Sequence, residues 1–378
     1  MQNKKLNILA DENMPMVTEM FSSIGNVVRR SGREISQQDL VDQDVLLVRS
    51  ITQVDAALLQ ATSVQFVGTA TIGTDHIDQE YLAEQSIGFS NAPGCNAEAV
   101  VEYVLSVIFL LAERYGFDPK TRNFGIVGVG NVGGRLQKRL DKLGYNILLN
   151  DPIRAEQEPG FVDLDQLIQE CDVICLHTPL TGQGPYPTRH LFSAKQLNAL
   201  KPNCILLNAG RGPVIDNQAL LKVSEKRPDL KLVLDVWEHE PWVDPKLAER
   251  CDIISPHIAG YSLDGKIRGT FMLYKALCQH LGIVCQHTLS DFLPSADLSE
   301  LEQGDHSVLE LMQRVYDPQQ DDLLLRNTLT LPEPEQKAAF DHLRKQYRIR
   351  REFASLNVLQ AKDPQQLEAI GFQLAEPG

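Results

Sequence analysis

A chain of 378 residues is long enough for two or three domains, and 43% hydrophobic with 23% charged residues suits a globular protein with a sizeable core. Its formal net charge of −14 argues against a nucleic-acid partner, which needs a basic footprint. The apolar run 6–10 is too short for a signal-peptide core, and the run 103–112, flanked by Glu102 and Glu113, falls well below the ~20 residues of a membrane span, so a cytoplasmic protein with no membrane partner is expected.

In the first hundred residues, 6–10, 45–48, 64–68 and 87–90 read as buried strands of a parallel sheet. Segments 15–23 and 54–60 read as intervening helices, and a long helix follows over 96–115. A second strand–helix series starts at Phe124, with strands at 124–129, 145–149, 173–177, 204–208, 230–236 and 253–255. Helices are expected between them at 133–143, 164–170 and 217–223, and again over 261–281. The alternation predicts an α/β protein. Beyond about residue 286 the rhythm stops. Segment 317–335 is acidic and proline-containing, as an irregular arm would be. Segment 337–351 reads as a basic helix and 353–360 as a strand. The seven cysteines are scattered and are expected to be reduced thiols. Cys171 and Cys175 lie in a strand-like run with no second pair, so no metal site is expected.

Gly128-Val129-Gly130-Asn131-Val132-Gly133 follows an apolar strand and opens a helix. Gly128 permits a tight turn, Gly130 lets a pyrophosphate approach the backbone, and Gly133 lets helix and strand pack closely. The helix N-terminus offers N–H groups and a positive dipole end to phosphate. Asp151 ends the next strand, where its carboxylate can accept from both adenosine ribose hydroxyls and repel a 2′-phosphate, which favours NAD over NADP. Arg154 is discounted as a phosphate grip because it stands past the acid.

Three later residues suit oxidation of a 2-hydroxy acid. Arg211 in Asn208-Ala209-Gly210-Arg211-Gly212 carries a planar cation that matches a carboxylate. His257 in Ser255-Pro256-His257-Ile258-Ala259-Gly260 can take a proton near neutrality. Glu240, in the run from Asp235 to Pro241, can hold the other imidazole nitrogen and stabilise the imidazolium. Asp235 is expected to meet the nicotinamide end of the cofactor, and Thr178, after His177, to hydrogen-bond it. All of these lie at carboxyl ends of expected strands, where open α/β sheets bind ligands.

The order of these motifs resembles the D-isomer-specific 2-hydroxyacid dehydrogenase family over about residues 5–285. The resemblance implies that Arg211, Glu240 and His257 are catalytic, and that Asp151, Thr178, Asp235 and Gly260 touch NAD beside Gly128, Gly130, Asn131, Val132 and Gly133. It also implies two doubly wound parallel-sheet domains, a flavodoxin-like substrate domain (1–99 with 259–285) and a Rossmann NAD domain (100–258). The runs Asp11–Pro15, Val48-Arg49-Ser50, Gly68–His76, Ala92–Asn96, Gly260-Tyr261-Ser262 and Arg350–Phe353 resemble a branch with an added α+β dimerisation domain, here 286–378, and so imply a homodimer. In that branch Ser50, Thr71 and Tyr261 are expected to touch substrate. Arg49, Ser50 and the backbone around Gly73 could bind the phosphate of a phosphorylated hydroxy acid. Most of the basic run Arg344, Lys345, Arg348, Arg350 and Arg351 reads as a solvated face, with one arginine expected to reach a partner subunit's phosphate pocket. Alternatives are another D-2-hydroxyacid dehydrogenase, such as one acting on 3-phosphoglycerate, and a non-catalytic NAD(H)-sensing protein.

Overall fold

Five parallel strands, β1 (Leu6–Asp11), β2 (Gly25–Arg30), β3 (Val45–Val48), β4 (Phe66–Thr69) and β5 (Gly88–Asn91), form a sheet in the order β2-β1-β3-β4-β5 in a computed structural model that describes residues 5–294, 300–302 and 304–374. This is the flavodoxin-like order. Side chains alternate between its two faces. Ile8, Leu47 and Phe66 join Leu273, Tyr274 and Leu277 of the helix Leu263–Leu281 in one core, and Leu9, Leu46, Val48 and Val67 join Leu58 and Leu82 in another. Strand β2 was not expected from the sequence: only Gly25 is fully buried and Val28 to Arg30 are exposed, as suits an edge strand without an apolar run. With helix Leu263–Leu281 these strands make one compact unit, Met1–Asn96 with Ser262–Ser295.

The second unit spans Ala97–Tyr261 and Ala296–Gly378. Its six parallel strands are β6 (Asn123–Val127), β7 (Asn146–Asn150), β8 (Val173–Leu176), β9 (Ile205–Asn208), β10 (Lys231–Leu234) and β11 (Ile253–Ile254). They run in the order β11-β10-β9-β8-β6-β7, so the chain reverses its direction of travel across the sheet between β6 and β8. Such switch points open the crevice in which doubly wound sheets bind ligands. The register is unbroken: Asn150, Val127, Leu176, Asn208, Leu234 and Ile254 stand side by side in one row. Every functional loop of the unit therefore leaves from one edge. The helix Ala97–Tyr115 is apolar nearly all round, and its Tyr103, Leu105 and Leu111 are fully buried against the sheet.

The C-terminal segment contributes a third sheet, β12 (Glu300–Glu302), β13 (Asn357–Leu359) and β14 (Gln373–Leu374), all parallel. Its Leu311, Met312, Tyr316, Phe353 and Phe372 share one core with Tyr103 and Phe124. Two expectations fail here. The acidic stretch 317–335 is not an irregular arm: Asp317 caps the helix Pro318–Arg326, with proline at the first turn where its missing N–H costs nothing. The basic helix is Glu333–Lys345, beginning with Glu333 and Glu335 and ending with Arg344 and Lys345, as the helix dipole favours. Arg348, Arg350 and Arg351 lie beyond its end and are not a solvated helical face.

Candidate active site

The glycine loop follows β6 and bends as its residues dictate. Gly128 has φ +85°, and a Cβ there would stand 2.8 Å from the Thr178 nitrogen. A Cβ on Gly133 would meet the Gly128 carbonyl at 2.1 Å, so only glycine lets the helix Asn131–Lys142 pack on β6. A Cβ on Gly130 would touch nothing within 4 Å, which leaves open space beside the backbone. Gly130 is also the N-cap, with no side-chain oxygen capping the first turn, in which Asn131 and Val132 lie. Open space, uncapped N–H groups and the positive dipole end together make an anion cradle.

Asp151 stands one strand away, directly after Asn150. One carboxylate oxygen accepts the Val129 N–H at 3.0 Å and the other accepts the Arg154 N–H at 3.2 Å, which fixes the acid against the loop. Arg154 is occupied: its Nη1 donates to the Val129 carbonyl at 2.7 Å and its Nε to Glu158 at 2.6 Å. After β8 come His177 and Thr178. Both ring nitrogens of His177 and the Thr178 hydroxyl are buried without a hydrogen-bond partner among the described residues. Burial pushes the His177 imidazole down to about 4, so it is neutral near neutral pH. Unsatisfied polar atoms at a switch point, beside a cradle that a side chain would fill, are what a bound dinucleotide would complete.

The loops after β9, β10 and β11 carry Arg211, Glu240 and His257. Nδ1 of His257 lies 2.8 Å from Oε2 of Glu240. With a carboxylate accepting there, the proton sits on Nδ1 and Nε2 is left with its lone pair. The other Glu240 oxygen accepts the Trp237 N–H at 2.8 Å, so the carboxylate is aimed from both sides. Burial works to raise the Glu240 carboxyl, but His257, the Trp237 N–H and Arg344 together hold it below its ordinary value. It is a carboxylate at any working pH.

His257 itself has φ +56°, an uncommon conformation for a side-chain-bearing residue. The backbone is pinned there by β10: the His257 N–H donates to the Asp235 carbonyl at 2.7 Å. The Asp235 carboxylate accepts from Ile258 N–H at 2.8 Å, Ala259 N–H at 3.1 Å and Ser255 Oγ at 2.7 Å, and Ser255 in turn meets Tyr103 Oη at 2.9 Å. Burial raises the Asp235 carboxyl against the pull of His257 and these donors. Both oxygens thus anchor the histidine loop, and Asp235 is 1% exposed. Asp235, expected at the nicotinamide end of the cofactor, thus also holds residues 255–259.

Arg211 is half-buried, and its Nη1 donates to the Gly210 carbonyl at 3.0 Å. Asn208, the last residue of β9, bonds the Arg211 carbonyl and the Gly210 N–H and so shapes this turn. A Cβ on Gly212 would fall 1.9 Å from the Trp237 carbonyl, so the arginine loop is pressed against the segment that leads to Glu240. Gly260 and Tyr261 follow His257, and the Tyr261 ring meets Tyr347 edge-on at 5.6 Å and Arg344 at 5.7 Å.

The remaining expected residues belong to the first unit. Val48 pairs with Thr69, so Arg49-Ser50 and Ala70–Gly73 leave neighbouring strands together. Thr71 Oγ1 bonds Thr69 Oγ1 and donates to the Gly73 carbonyl, each at 2.8 Å. Lys266 was not singled out from the sequence. Burial, and after it the nearby charge of Arg49, bring its ammonium down to about 8.

Two arginines of the basic run are engaged within this chain. Arg350 is 2% exposed and donates to the carbonyls of Ala259 at 3.1 Å and Ala99 at 2.7 Å, with Glu102 beside it. Arg348 pairs with Asp321. Among the described residues, no three His, Cys, Asp or Glu side chains are grouped to hold a metal, and no helix is long and apolar enough to cross a membrane.

Fold and site define a dinucleotide-dependent dehydrogenase of hydroxy acids. Residues 110–259 match the family described as D-isomer specific 2-hydroxyacid dehydrogenase, NAD binding domain, and residues 292–371 match a domain of unknown function. The structure is similar to NAD+-bound 3-phosphoglycerate dehydrogenase of Entamoeba histolytica (TM-score 0.63, 23% identity, 77% of this chain and 99% of that one). It is also similar to D-lactate dehydrogenase of Aquifex aeolicus (TM-score 0.58, 22% identity, 73% and 96%). Among curated proteins, the chain is 50% identical over 371 residues to erythronate-4-phosphate dehydrogenase of Ectopseudomonas mendocina, covering 97% of this chain and 98% of that one. It is 48% identical to the protein of that name from Azotobacter vinelandii, covering 98% and 100%. The chain therefore belongs to the D-isomer-specific 2-hydroxyacid dehydrogenases, in the erythronate-4-phosphate dehydrogenase family.

Proposed function

We propose that the protein oxidises 4-phospho-D-erythronate at C2 with NAD, giving (R)-3-hydroxy-2-oxo-4-phosphooxybutanoate and NADH, in pyridoxine 5′-phosphate (vitamin B6) biosynthesis. The observation that carries this reading is the 2.8 Å contact between His257 and Glu240, held at the sheet edge from which the nucleotide loop also leaves. NAD, when bound, supplies the hydride acceptor. The helix Asn131–Lys142 would receive its pyrophosphate at Gly130, Asn131 and Val132, Asp151 would receive its ribose hydroxyls, and Thr178, Asp235 and Gly260 would complete the contacts. Arg211 grips the substrate carboxylate. The Nε2 lone pair of His257 takes the C2 hydroxyl proton as hydride leaves, and Glu240 stabilises the imidazolium that results. Arg49, Ser50, Thr71, Gly73 and Tyr261 are assigned to the rest of the substrate, with the charge of Arg49 and Lys266 suiting a phosphate.

A homodimer and a cytoplasmic location complete the proposal. Leu323, Leu324, Leu331 and Ile349 of the C-terminal segment are exposed apolar side chains that a second copy would cover. Buried free thiols, at six of the seven cysteines, suit a reducing compartment. The test is a panel of 4-phospho-D-erythronate, D-erythronate and 3-phosphoglycerate with NAD, read as kcat/KM. The first is expected to lead. A lead for 3-phosphoglycerate would reassign the substrate, and tight NADH binding without turnover of any would favour a sensor.

A further inference from the structure

Residues 292–371 match a domain to which no function is attached, yet its side chains reach the loops that carry the chemistry. Asp322 accepts the N–H of Ile254, the last residue of β11, at 2.8 Å. Gln336, 2% exposed, accepts the Val243 N–H at 3.1 Å, just past Glu240. Arg350 holds the Ala259 carbonyl at 3.1 Å, two residues past His257. Between these lies Arg344, two turns beyond Gln336 on the helix Glu333–Lys345. Its guanidinium is 5.7 Å from the Tyr261 ring and 6.0 Å from that of Phe340, which is 1% exposed. Tyr347 meets the same Tyr261 ring edge-on at 5.6 Å.

We infer that the C-terminal segment is a working part of the catalytic site, with Arg344 as a positioning residue that fixes Tyr261 and sets the charge balance of the Glu240–His257 pair. The inference rests on the hydride-transfer reading. The groups that bear on Glu240 are His257, the Trp237 N–H and Arg344, and those that bear on Arg344 are Tyr261, Glu240 and Asp235. Arg344 is the cation among these that does not titrate. It keeps Glu240 ionised while lowering the attraction the pair holds for a proton. The guanidinium 5.7 Å from the centre of the Tyr261 ring adds a second role, since its delocalised charge and fork of donors meet that side chain as a compact ammonium does not.

The test uses full-length Arg344→Met and Arg344→Lys, with kcat, KM and the pH profile of kcat/KM for 4-phospho-D-erythronate, and NADH affinity and melting temperature as controls. Arg344→Met is expected to lower kcat by on the order of 10- to 100-fold, the scale of a small misplacement of reacting groups. It should also move the acid limb of the profile to higher pH, because the carboxylate then acts on the imidazole unopposed. Arg344→Lys should leave the limb in place and recover part of kcat. Loss of activity in Arg344→Met with an unmoved limb would reduce Arg344 to packing and overturn the inference. If Arg344→Met does not fold, wild-type kcat and KM in Arg344→Lys would overturn it, since the guanidinium contact with Tyr261 is lost there. A wild-type enzyme that turns over no hydroxy acid would instead overturn the functional reading, a result read from the unmutated protein alone.

Discussion

Replacing Glu240 by Gln should harm turnover more than replacing it by Ala. The carboxylate and the imidazolium formed in the reaction have charge centres about 4 Å apart, which is worth roughly 4 kcal/mol at an effective dielectric constant near 20. The two side chains are 33% and 23% exposed, so solvent screening reduces this, and about 2 kcal/mol is a fair figure. Loss of that charge alone lowers kcat about 30-fold, which is the expectation for Glu240→Ala. Glutamine adds a second fault. Its carbonyl oxygen is needed by the Trp237 N–H, which Oε1 of Glu240 accepts at 2.8 Å. Its amide NH2 then faces Nδ1 of His257. The imidazole must turn its lone pair to that donor and carry its proton on Nε2, where the base is needed. Tautomer reversal of this kind costs on the order of 10⁴ in kcat. The assay is steady-state NADH formation across pH for both variants, with NADH affinity as the control. Equal losses would show that the Trp237 contact does not orient the residue. Turnover within about twofold of wild type in either variant would refute the assignment of Glu240.

Five further outcomes follow from the same geometry. Gly133→Ala should destabilise the protein by roughly 1–3 kcal/mol, the cost of overpacking, because its Cβ meets the Gly128 carbonyl at 2.1 Å. Gly130→Ala should keep the wild-type melting temperature and weaken NADH binding, as its Cβ meets only open space, and a reversed pattern would disprove the cradle. Asp151→Ala should raise the KM for NAD and improve the ratio of NADP to NAD use, with an unchanged ratio counting against the ribose contact. Arg350→Met should cost roughly 3–5 kcal/mol by chemical denaturation, since it strips two buried carbonyls and Glu102 of their cation. His177 has its folded-state value depressed to about 4, so the stability it confers is full above its unfolded value of about 6.5 and is lost as pH falls from there toward 4. His177→Gln should flatten the fall in melting temperature across that window.

The chemistry-bearing loops were legible in the sequence because each combines a strand end with residues that do little else. Gly128, Gly130 and Gly133 stand where φ, open space and helix packing require them. The strands of the second sheet read as apolar runs because both faces are covered, with β8 and β9 buried at every residue. Strand β2 escaped because Val28 is half exposed and the flanking residues are polar. The C-terminal segment escaped for a different reason. Asp321 and Arg350 look like solvated charges in a linear sequence, yet they are 2% exposed because Arg348, Tyr316, Glu102 and backbone carbonyls satisfy them from afar. A charge pattern reports composition, and burial of a charge depends on partners distant along the chain. The same limit hid the second duty of Asp235, whose contacts with Ile258 and Ala259 span 23 and 24 residues.

In the proposed reaction His257 accepts a proton from the C2 hydroxyl while hydride leaves C2. The decisive experiment mixes enzyme at stoichiometric concentration with NAD and 4-phospho-D-erythronate deuterated at C2, then weighs the nicotinamide. One deuterium is expected on the nicotinamide with the wild-type protein, and a transfer rate lower by on the order of 10²–10⁴ in His257→Ala. Unlabelled NADH, or a His257→Ala rate equal to wild type, would contradict it.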